Sequence, residues 1–391
     1  MNRVLVTGGA GFIGSHTVDL LLERGYGVRV LDSLQPRVHP HGRPAYLSPE
    51  IEFIQGDVTA RDDLERALRD VRFVLHLAAY QDYQPDFSTF VHTNAESTAL
   101  LFELIVANRL PVEKIVFASS QSVAGEGCYR CPADGPVRPG PRALQRLERG
   151  LWEVTCPRCA GPVTPTLIGE DTCAPHTAYA ISKYAIELLA DRLGRRYGIP
   201  TVCLRYTYVQ GPRNSFFNAY SGICRIFALR CLHRLPPIVY EDGKQLRDYV
   251  NVRDVAAANV LVLERAEADW QVLNVGGGRA VTVLSFAELM IAAAGARVEP
   301  LVSGEYRLGD TRHTVSDITR LRALGWEARV PVEENVRQYL DWLASQDATL
   351  AYLREAEQVM RRQQVIRRAG LDGAVPAIAP TGSAAAEGAR R

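Results

Sequence analysis

Tyr179 and Lys183 stand four apart in the run Tyr179-Ala180-Ile181-Ser182-Lys183. On a helix that spacing puts both side chains on one face. A cation beside a phenol favours phenolate, and a phenolate near working pH can accept a proton from a hydroxyl. Taken alone, the pair could equally be an exposed i, i+4 pair on a solvated helix. The amino terminus argues for the first reading. Val4-Leu5-Val6 is an apolar run of the kind a buried parallel strand uses, and it leads into Thr7-Gly8-Gly9-Ala10-Gly11-Phe12-Ile13-Gly14. Gly8 would allow a sharp turn, Gly11 a close approach of backbone to a pyrophosphate, and Gly14 a tight packing of the following helix. The helix N-terminus would offer free N–H groups to phosphate. A second strand, Gly27 to Leu31, ends on Asp32, about 20 residues beyond the turn, where a carboxylate accepts from ribose hydroxyls and favours NAD over NADP. A turn without ligand is the alternative for the glycines alone. Together the two features read as a dinucleotide seat with a proton-moving phenol beside the nicotinamide.

Elements that could position these residues follow in order. Ile51 to Asp57, Phe73 to Ala79, Lys114 to Ser120 and Thr201 to Tyr206 read as strands, with a long helix over Ser88 to Asn108. Alternating strands and helices imply a doubly wound parallel sheet. Shorter elements beyond residue 210 suggest a smaller α/β lobe over the substrate, with Val332 to Ala344 as its last helix. Gln346 to Arg368 is polar and helix-favouring, and its Arg361, Arg362, Arg367 and Arg368 suit a solvated face, contact with an acidic partner being the alternative. Gly370 to Arg391 has the composition of a disordered tail.

Roughly Gly127 to Thr166 breaks the alternation. It holds Cys128-x2-Cys131, then 24 residues, then Cys156-x2-Cys159. Two such pairs suit a structural zinc ribbon, with four thiolates closing the coordination shell. A redox pair or a metal-free loop is the alternative. Cys173, Cys203, Cys224 and Cys231 are scattered and read as small buried residues. The expected division is 1–126 with 167–210 for the dinucleotide-binding domain, 127–166 for the ribbon, 211–345 for the substrate lobe and 346–391 for the tail.

Composition sets bounds. The chain has 391 residues, 47% hydrophobic and 23% charged, with a net charge of +1. That is ordinary globular balance, without the basic footprint of a nucleic-acid binder. No 18-residue apolar run occurs, so no membrane span is expected and the default setting is cytoplasmic.

The chain resembles the extended short-chain dehydrogenase/reductase family, in its nucleotide-sugar epimerase branch. The resemblance spans residues 1 to about 345. It rests on the glycine turn, Gly56-Asp57-Val58, His76-Leu77-Ala78-Ala79, Ser119-Ser120, Tyr179-x3-Lys183, Leu204-Arg205-Tyr206 with Gly211-Pro212-Arg213, Asp242-Gly243 with Arg247-Asp248-Tyr249-Val250, Asn274-Val275-Gly276, and Arg307-x-Gly309-Asp310. Members carrying inserted C-x2-C pairs are of the dTDP-L-rhamnose 4-epimerase-like kind.

The resemblance implies a Rossmann-type domain binding NAD through Gly8, Gly11, Phe12, Ile13, Gly14, Asp32, Asp57, Val58, Ala78, Ala79, Tyr179 and Lys183. It implies catalysis by Ser120, Tyr179 and Lys183, with Lys183 on the nicotinamide ribose and Ser120 on the reacting oxygen. It implies a nucleotide-diphosphate sugar as substrate, with Arg247 and Arg307 on the diphosphate. Ion pairs of these arginines with Asp248 and Asp310 are the alternative. It also implies a homodimer through the Ser88–Asn108 and Tyr179 helices, for which Ala99-Leu100-Leu101-Phe102 offers an apolar run. The implied activity is epimerisation at C4 through a transient 4-keto sugar. A net oxidoreductase using the same residues, or a non-catalytic binding protein on the same fold, are the alternatives. Departures from the family pattern concentrate in the substrate pocket. Gln121 and Ser122 stand where dehydratases carry an Asp-Glu pair, which speaks against 4,6-dehydration. Tyr208 replaces a common Asn, and Tyr80 and Tyr83 make the loop after Ala79 more aromatic than usual.

Overall fold

The computed structural model describes residues 2–82, 85–217, 222–347 and 350–370. Five strands come first: β1 Arg3–Thr7, β2 Gly27–Asp32, β3 Glu52–Gln55, β4 Phe73–His76 and β5 Lys114–Ser120. Between them lie α1 Phe12–Glu23, α2 Arg61–Leu68, the short α3 Phe87–Phe90 and α4 Ser97–Ala107. The helix expected over Ser88 to Asn108 is interrupted, because Val91–Glu96 is a π-helical stretch. The expected apolar run also faces inward, with Leu101 and Phe102 in the core.

The insert holds β6 Cys128–Cys131, β7 Gly135–Val137, α5 Leu144–Glu148 and β8 Thr164–Thr166. Its three strands pair antiparallel in the order β7-β6-β8 over a small core of Tyr129, Cys131, Val137, Val154 and Cys156. Then come α6 Ala178–Tyr197, β9 Thr201–Tyr206, β10 Tyr208–Gln210, α7 Ile223–Leu232, β11 Ile238–Val239 and β12 Leu246–Asn251. After them are α8 Val252–Glu264, β13 Gln271–Val275, β14 Ala280–Thr282, α9 Val283–Ala293, β15 Leu301–Val302 and β16 Glu305–Arg307. The last elements among the described residues are α10 Thr319–Ala323, α11 Val332–Ala344, α12 Leu350–Arg362 and β17 Ile366–Arg368.

A seven-stranded parallel sheet, ordered β13-β9-β5-β4-β1-β2-β3, carries the molecule. Its central strands are apolar and buried on both faces, as parallel strands covered by helices must be. The order reverses between β1 and β4, and ligands of open α/β sheets bind at such a switch point. The seventh strand, β13, lies well beyond residue 210, and α8 packs on α1, so the chain returns to the sheet after entering the lobe. The lobe has its own core, in which Phe227, Phe286, Val336 and Tyr339 meet. Of the scattered cysteines, Cys203, Cys224 and Cys231 are buried as expected, but Cys173 is exposed on the segment leading out of the insert. Among the described residues no helix is long and apolar enough to cross a membrane.

Candidate active site

One cleft of about 980 Å³ runs across the C-terminal ends of the central strands and under the lobe. Every glycine, carboxylate and alanine singled out in the sequence for the dinucleotide lines it, as do Phe12, Ile13 and Val58: Gly8, Gly11, Gly14, Asp32, Asp57, Ala78 and Ala79 complete the set. Ser120, Tyr179 and Lys183 line it too, with Tyr80, Tyr208, Arg247 and Arg307. Tyr83 lies outside the described residues.

The dinucleotide end is shaped by missing side chains. Gly8 has φ +69°, and a Cβ there would sit 2.8 Å from the Ala78 backbone. At Gly14 a Cβ would come within 2.1 Å of the Gly8 carbonyl. Helix α1 starts at Gly11 with no side-chain cap and no acidic residue in its first turn, so its free N–H groups face the cleft. Asp32 accepts from the backbone N–H of Ala10 and of Leu34, both at 2.9 Å. These bonds fix its carboxylate at the end of β2. The residues present therefore fit a dinucleotide: a bare helix N-terminus for pyrophosphate and a held carboxylate for ribose.

Ser120, Tyr179 and Lys183 sit where β5 meets α6. Thr177 caps α6 through its side chain, which accepts from the Ala180 N–H at 3.1 Å. Tyr179 is therefore in the first turn and Lys183 one turn on. The Tyr179 hydroxyl is hydrogen-bonded to the Ser120 side chain. Ser122 donates to Ser120 Oγ from its own hydroxyl at 3.0 Å, extending the hydroxyl chain. Lys183 is 2% exposed, donates to the Ala118 carbonyl at 2.9 Å, and places Nζ 5.9 Å from the centre of the Tyr179 ring. The two groups do not titrate as the spacing alone suggests. Burial raises Tyr179 from 10.0 to about 12, with the Ser120 hydrogen bond pulling the other way. Burial also lowers Lys183 from 10.5 to about 7. Desolvation thus outweighs the charge of Lys183, because burial presses both groups toward neutrality.

Below α6 the scaffold is ionic. Glu187, one turn beyond Lys183, receives Arg205 through Nε at 2.8 Å and Nη2 at 2.7 Å. Ser119, next to Ser120, also donates to Glu187. The same Arg205 reaches the carbonyls of Glu170 and Thr172, each at 3.0 Å, and so ties the exit of the insert to the floor of the site.

On the lobe side, Arg247 and Arg307 are each 7% exposed. Arg247 does not pair with Asp248. It donates to the carbonyls of Thr311 and Arg312, both at 2.9 Å, and its guanidinium lies 5.3 Å from the Tyr208 ring centre. The Asp248 carboxylate instead accepts from the backbone of Gly278 and Ser316. Arg307 lies 5.1 Å from the Tyr240 ring centre. The Tyr80 hydroxyl is held by Asp86, and its ring packs edge-on against Phe90 at 5.1 Å. Sequence reasoning missed Tyr240, Ser122 and the cleft-lining Glu357, Met360 and Val365, which come from the segment read as a solvated face.

In the insert, the four-cysteine set needs a correction. Ligand atoms of Cys131, Asp134, Cys156 and Cys159 all lie within 4.8 Å of one another. Cys128 is not among them, and its sulfur lies 3.2 Å from the Thr172 hydroxyl. The reason is strand geometry: three positions apart on β6, Cys128 and Cys131 point to opposite faces. The knuckle that faces Cys156-x2-Cys159 is Cys131-x2-Asp134. Three thiolates and a carboxylate fit a closed tetrahedral zinc shell.

Two buried arginines bolt the insert to the lobe. Arg142 grips Glu241 at 2.8 and 2.9 Å and reaches the Asp310 carbonyl at 2.8 Å. Arg312 meets Glu241 at 2.8 Å and Glu153 of the insert at 2.6 Å.

Comparison with known proteins agrees with this geometry. The model of the NAD dependent epimerase/dehydratase family matches residues 4–143 and 154–276. A dTDP-L-rhamnose 4-epimerase of Burkholderia thailandensis is 32% identical over 88% of this chain and 95% of its own. Among solved structures, the UDP-glucose 4-epimerase of Thermotoga maritima, crystallised with UDP-glucose, superposes with a TM-score of 0.72 at 30% identity, over 88% of this chain and 98% of that one. The UDP-glucose 4-epimerase of Thermus thermophilus, solved with NAD, gives 0.68 at 31% identity, over 88% and 99%. With its glycine turn, held Asp32 and Ser120–Tyr179–Lys183 group in one cleft, this chain belongs to the NAD dependent epimerase/dehydratase family.

Proposed function

We propose that the protein is an NAD-dependent nucleotide-sugar epimerase acting at C4 through a transient 4-keto sugar. The observation that carries this reading is the hydroxyl chain Ser122–Ser120–Tyr179 beside a buried Lys183, with no carboxylic acid at positions 121 or 122. Bound NAD would accept hydride from C4 and return it, and its cationic ring would favour the Tyr179 phenolate.

The chain's own residues do the rest. Tyr179 takes the proton of the C4 hydroxyl and gives it back after the sugar turns over. Ser120 holds the same oxygen in both states, and Ser122 orients Ser120. Lys183 binds the nicotinamide ribose from its seat on Ala118. Asp57 and Val58 hold the adenine. Arg247 and Arg307 hold the diphosphate, for which the planar guanidinium fork is suited. Tyr80 and Tyr208 shape the sugar pocket. Gln121 and Ser122 offer neither the acid nor the base that elimination of water requires, so the chemistry stops at inversion.

A zinc ion held by Cys131, Asp134, Cys156 and Cys159 is structural in this reading, since its four ligands leave no open position. The same reading takes the molecule as a cytoplasmic homodimer. Exposed Val91, Ile181 and Leu188, on the helical run after β4 and on α6, supply the apolar face for a four-helix contact.

The test is turnover of a nucleotide-sugar panel without added cofactor. Substrate should invert with no net NADH, and NAD should co-purify. Tyr179→Phe should lose roughly 10²–10⁴-fold in rate, the scale of a positioned general acid–base, while retaining NAD, and Ser120→Ala should also slow turnover. Stoichiometric NADH with strict dependence on added NAD would establish a dehydrogenase instead.

A further inference from the structure

We infer that the C-terminal segment 350–370 is the outer wall of the nucleotide subsite, with Met360, Val365 and Glu357 selecting the nucleoside end of the substrate. The inference rests on the nucleotide-sugar reading of the cleft.

The segment is built into the lobe. On α12, Leu353 and Met360 are each 1% exposed, and Leu353 joins the lobe core. The chain then turns at Gln364, a non-glycine residue with φ 56°, and returns as β17. β17 pairs antiparallel with β16, Ile366 standing opposite Arg307. Leu308 donates its N–H to the Val365 carbonyl at 3.0 Å, and Arg361 meets both Glu305 oxygens at 2.7 and 3.2 Å. The last link reaches the insert, where the Gly370 N–H donates to the Glu148 carbonyl at 2.9 Å. Arg361, Arg362 and Arg368 are exposed, as a solvated basic face requires, while the opposite face of the segment makes the buried contacts.

This places three side chains in the cleft beside Arg307 and Tyr240. Their chemistry is complementary. Arg307 offers a fork to a diphosphate, and the Tyr240 ring offers a flat face within reach of the same guanidinium. Met360, 1% exposed, backs this wall from inside, and its flexible, polarisable chain lets the wall adapt to a planar base. Val365 adds an apolar edge. Glu357, 3.6 Å from Arg230, can only accept, so it selects ligand groups that donate: a base N–H or a ribose O–H. An apolar wall, a ring face, an acceptor and an anion fork together describe a nucleoside diphosphate.

Three full-length variants test the inference: Met360→Ala, Glu357→Gln and Val365→Ala. Calorimetric titration with UDP, dTDP and GDP gives binding, and steady-state turnover of the active nucleotide sugar gives kcat and KM. Met360→Ala and Glu357→Gln should each weaken the preferred nucleoside diphosphate about tenfold. The ranking of the three nucleotides should change in at least one variant, KM should rise more than kcat falls, and bound NAD should stay at the wild-type level. A purely structural role would lower NAD content and kcat together with KM and leave the ranking as it was, which overturns the inference. Unchanged affinities in all three variants overturn it as well. Wild-type protein that binds none of the three nucleotides refutes the nucleotide-sugar reading itself, a result the variants cannot mimic.

Discussion

Replacing Arg205 with Met should be among the most damaging single changes outside the cleft lining. The side chain is 1% exposed and commits all three nitrogens to partners. Methionine matches its stem but leaves Glu187, itself 5% exposed, with only the Ser119 hydroxyl. Removing one member of a buried ion pair costs roughly 3–5 kcal/mol, because the remaining charge is uncompensated. The carbonyls of Glu170 and Thr172 also lose donors, at about 1 kcal/mol each where water cannot replace them. Together the losses come to about 5–7 kcal/mol, which for a chain of 391 residues corresponds to a fall in thermal midpoint of about 6–9 °C. Calorimetry of NAD-free protein reads it directly. The loss should be smaller at about pH 5 than at about pH 8, since a stranded carboxylate is relieved by taking up a proton. The double variant Arg205→Met, Glu187→Leu should recover at least half of the deficit, as apolar replacement of a buried pair often does. A midpoint change under about 2 °C in the single variant, or a double variant no more stable than the single, would refute the claim that uncompensated charge is what costs.

Two further outcomes follow from groups described above. Lys183→Met should abolish turnover yet stabilise the NAD-free protein. Burial lowers the Lys183 pKa from 10.5 to about 7, so between those values the folded chain binds fewer protons than the unfolded one. The stability from this group is full above 10.5 and is lost as pH falls to 7. The advantage of the variant should therefore be greatest at and below pH 7 and vanish as pH approaches 10.5; equal stability at both ends would contradict the shift. For the insert, elemental analysis should find about one zinc per chain in the wild type and in Cys128→Ser, and little in Cys156→Ser or Asp134→Asn. Loss of metal from Cys128→Ser alone would restore the four-cysteine set.

What the sequence discloses is local. The glycine turn, Asp32 and the Tyr179–Lys183 step are short-range patterns whose geometry follows from one strand or one helix. β5, β9 and α11 fall on the residues that periodicity predicts. Features set by distant contacts are illegible. Arg142 and Glu241 lie 99 positions apart, and nothing near either one announces the partner. The C-terminal segment reads as polar because one face of α12 is, but the opposite face meets α7 and β17 completes a hairpin with β16. Asp134 escapes any reading that pairs cysteines by type; the alternation of β6 is the signal that puts Cys128 on the wrong side. The pKa values of Tyr179 and Lys183 depend on how deeply both are buried, which four-residue spacing does not encode.

The strand order has a consequence for synthesis. β5 is bordered in the finished sheet by β4, made before it, and by β9, made after it. The 80 residues from 121 to 200, the insert and α6 among them, must emerge between the two. At roughly 5–20 residues per second, a ribosome needs about 4–16 s for that stretch. For those seconds one edge of β5 stands open, with Lys114 as its single charged residue. An apolar, unpaired edge is a template for pairing with another nascent chain. Yield in cells should accordingly respond to translation speed across the insert and to chaperone supply, even when the finished fold is unchanged.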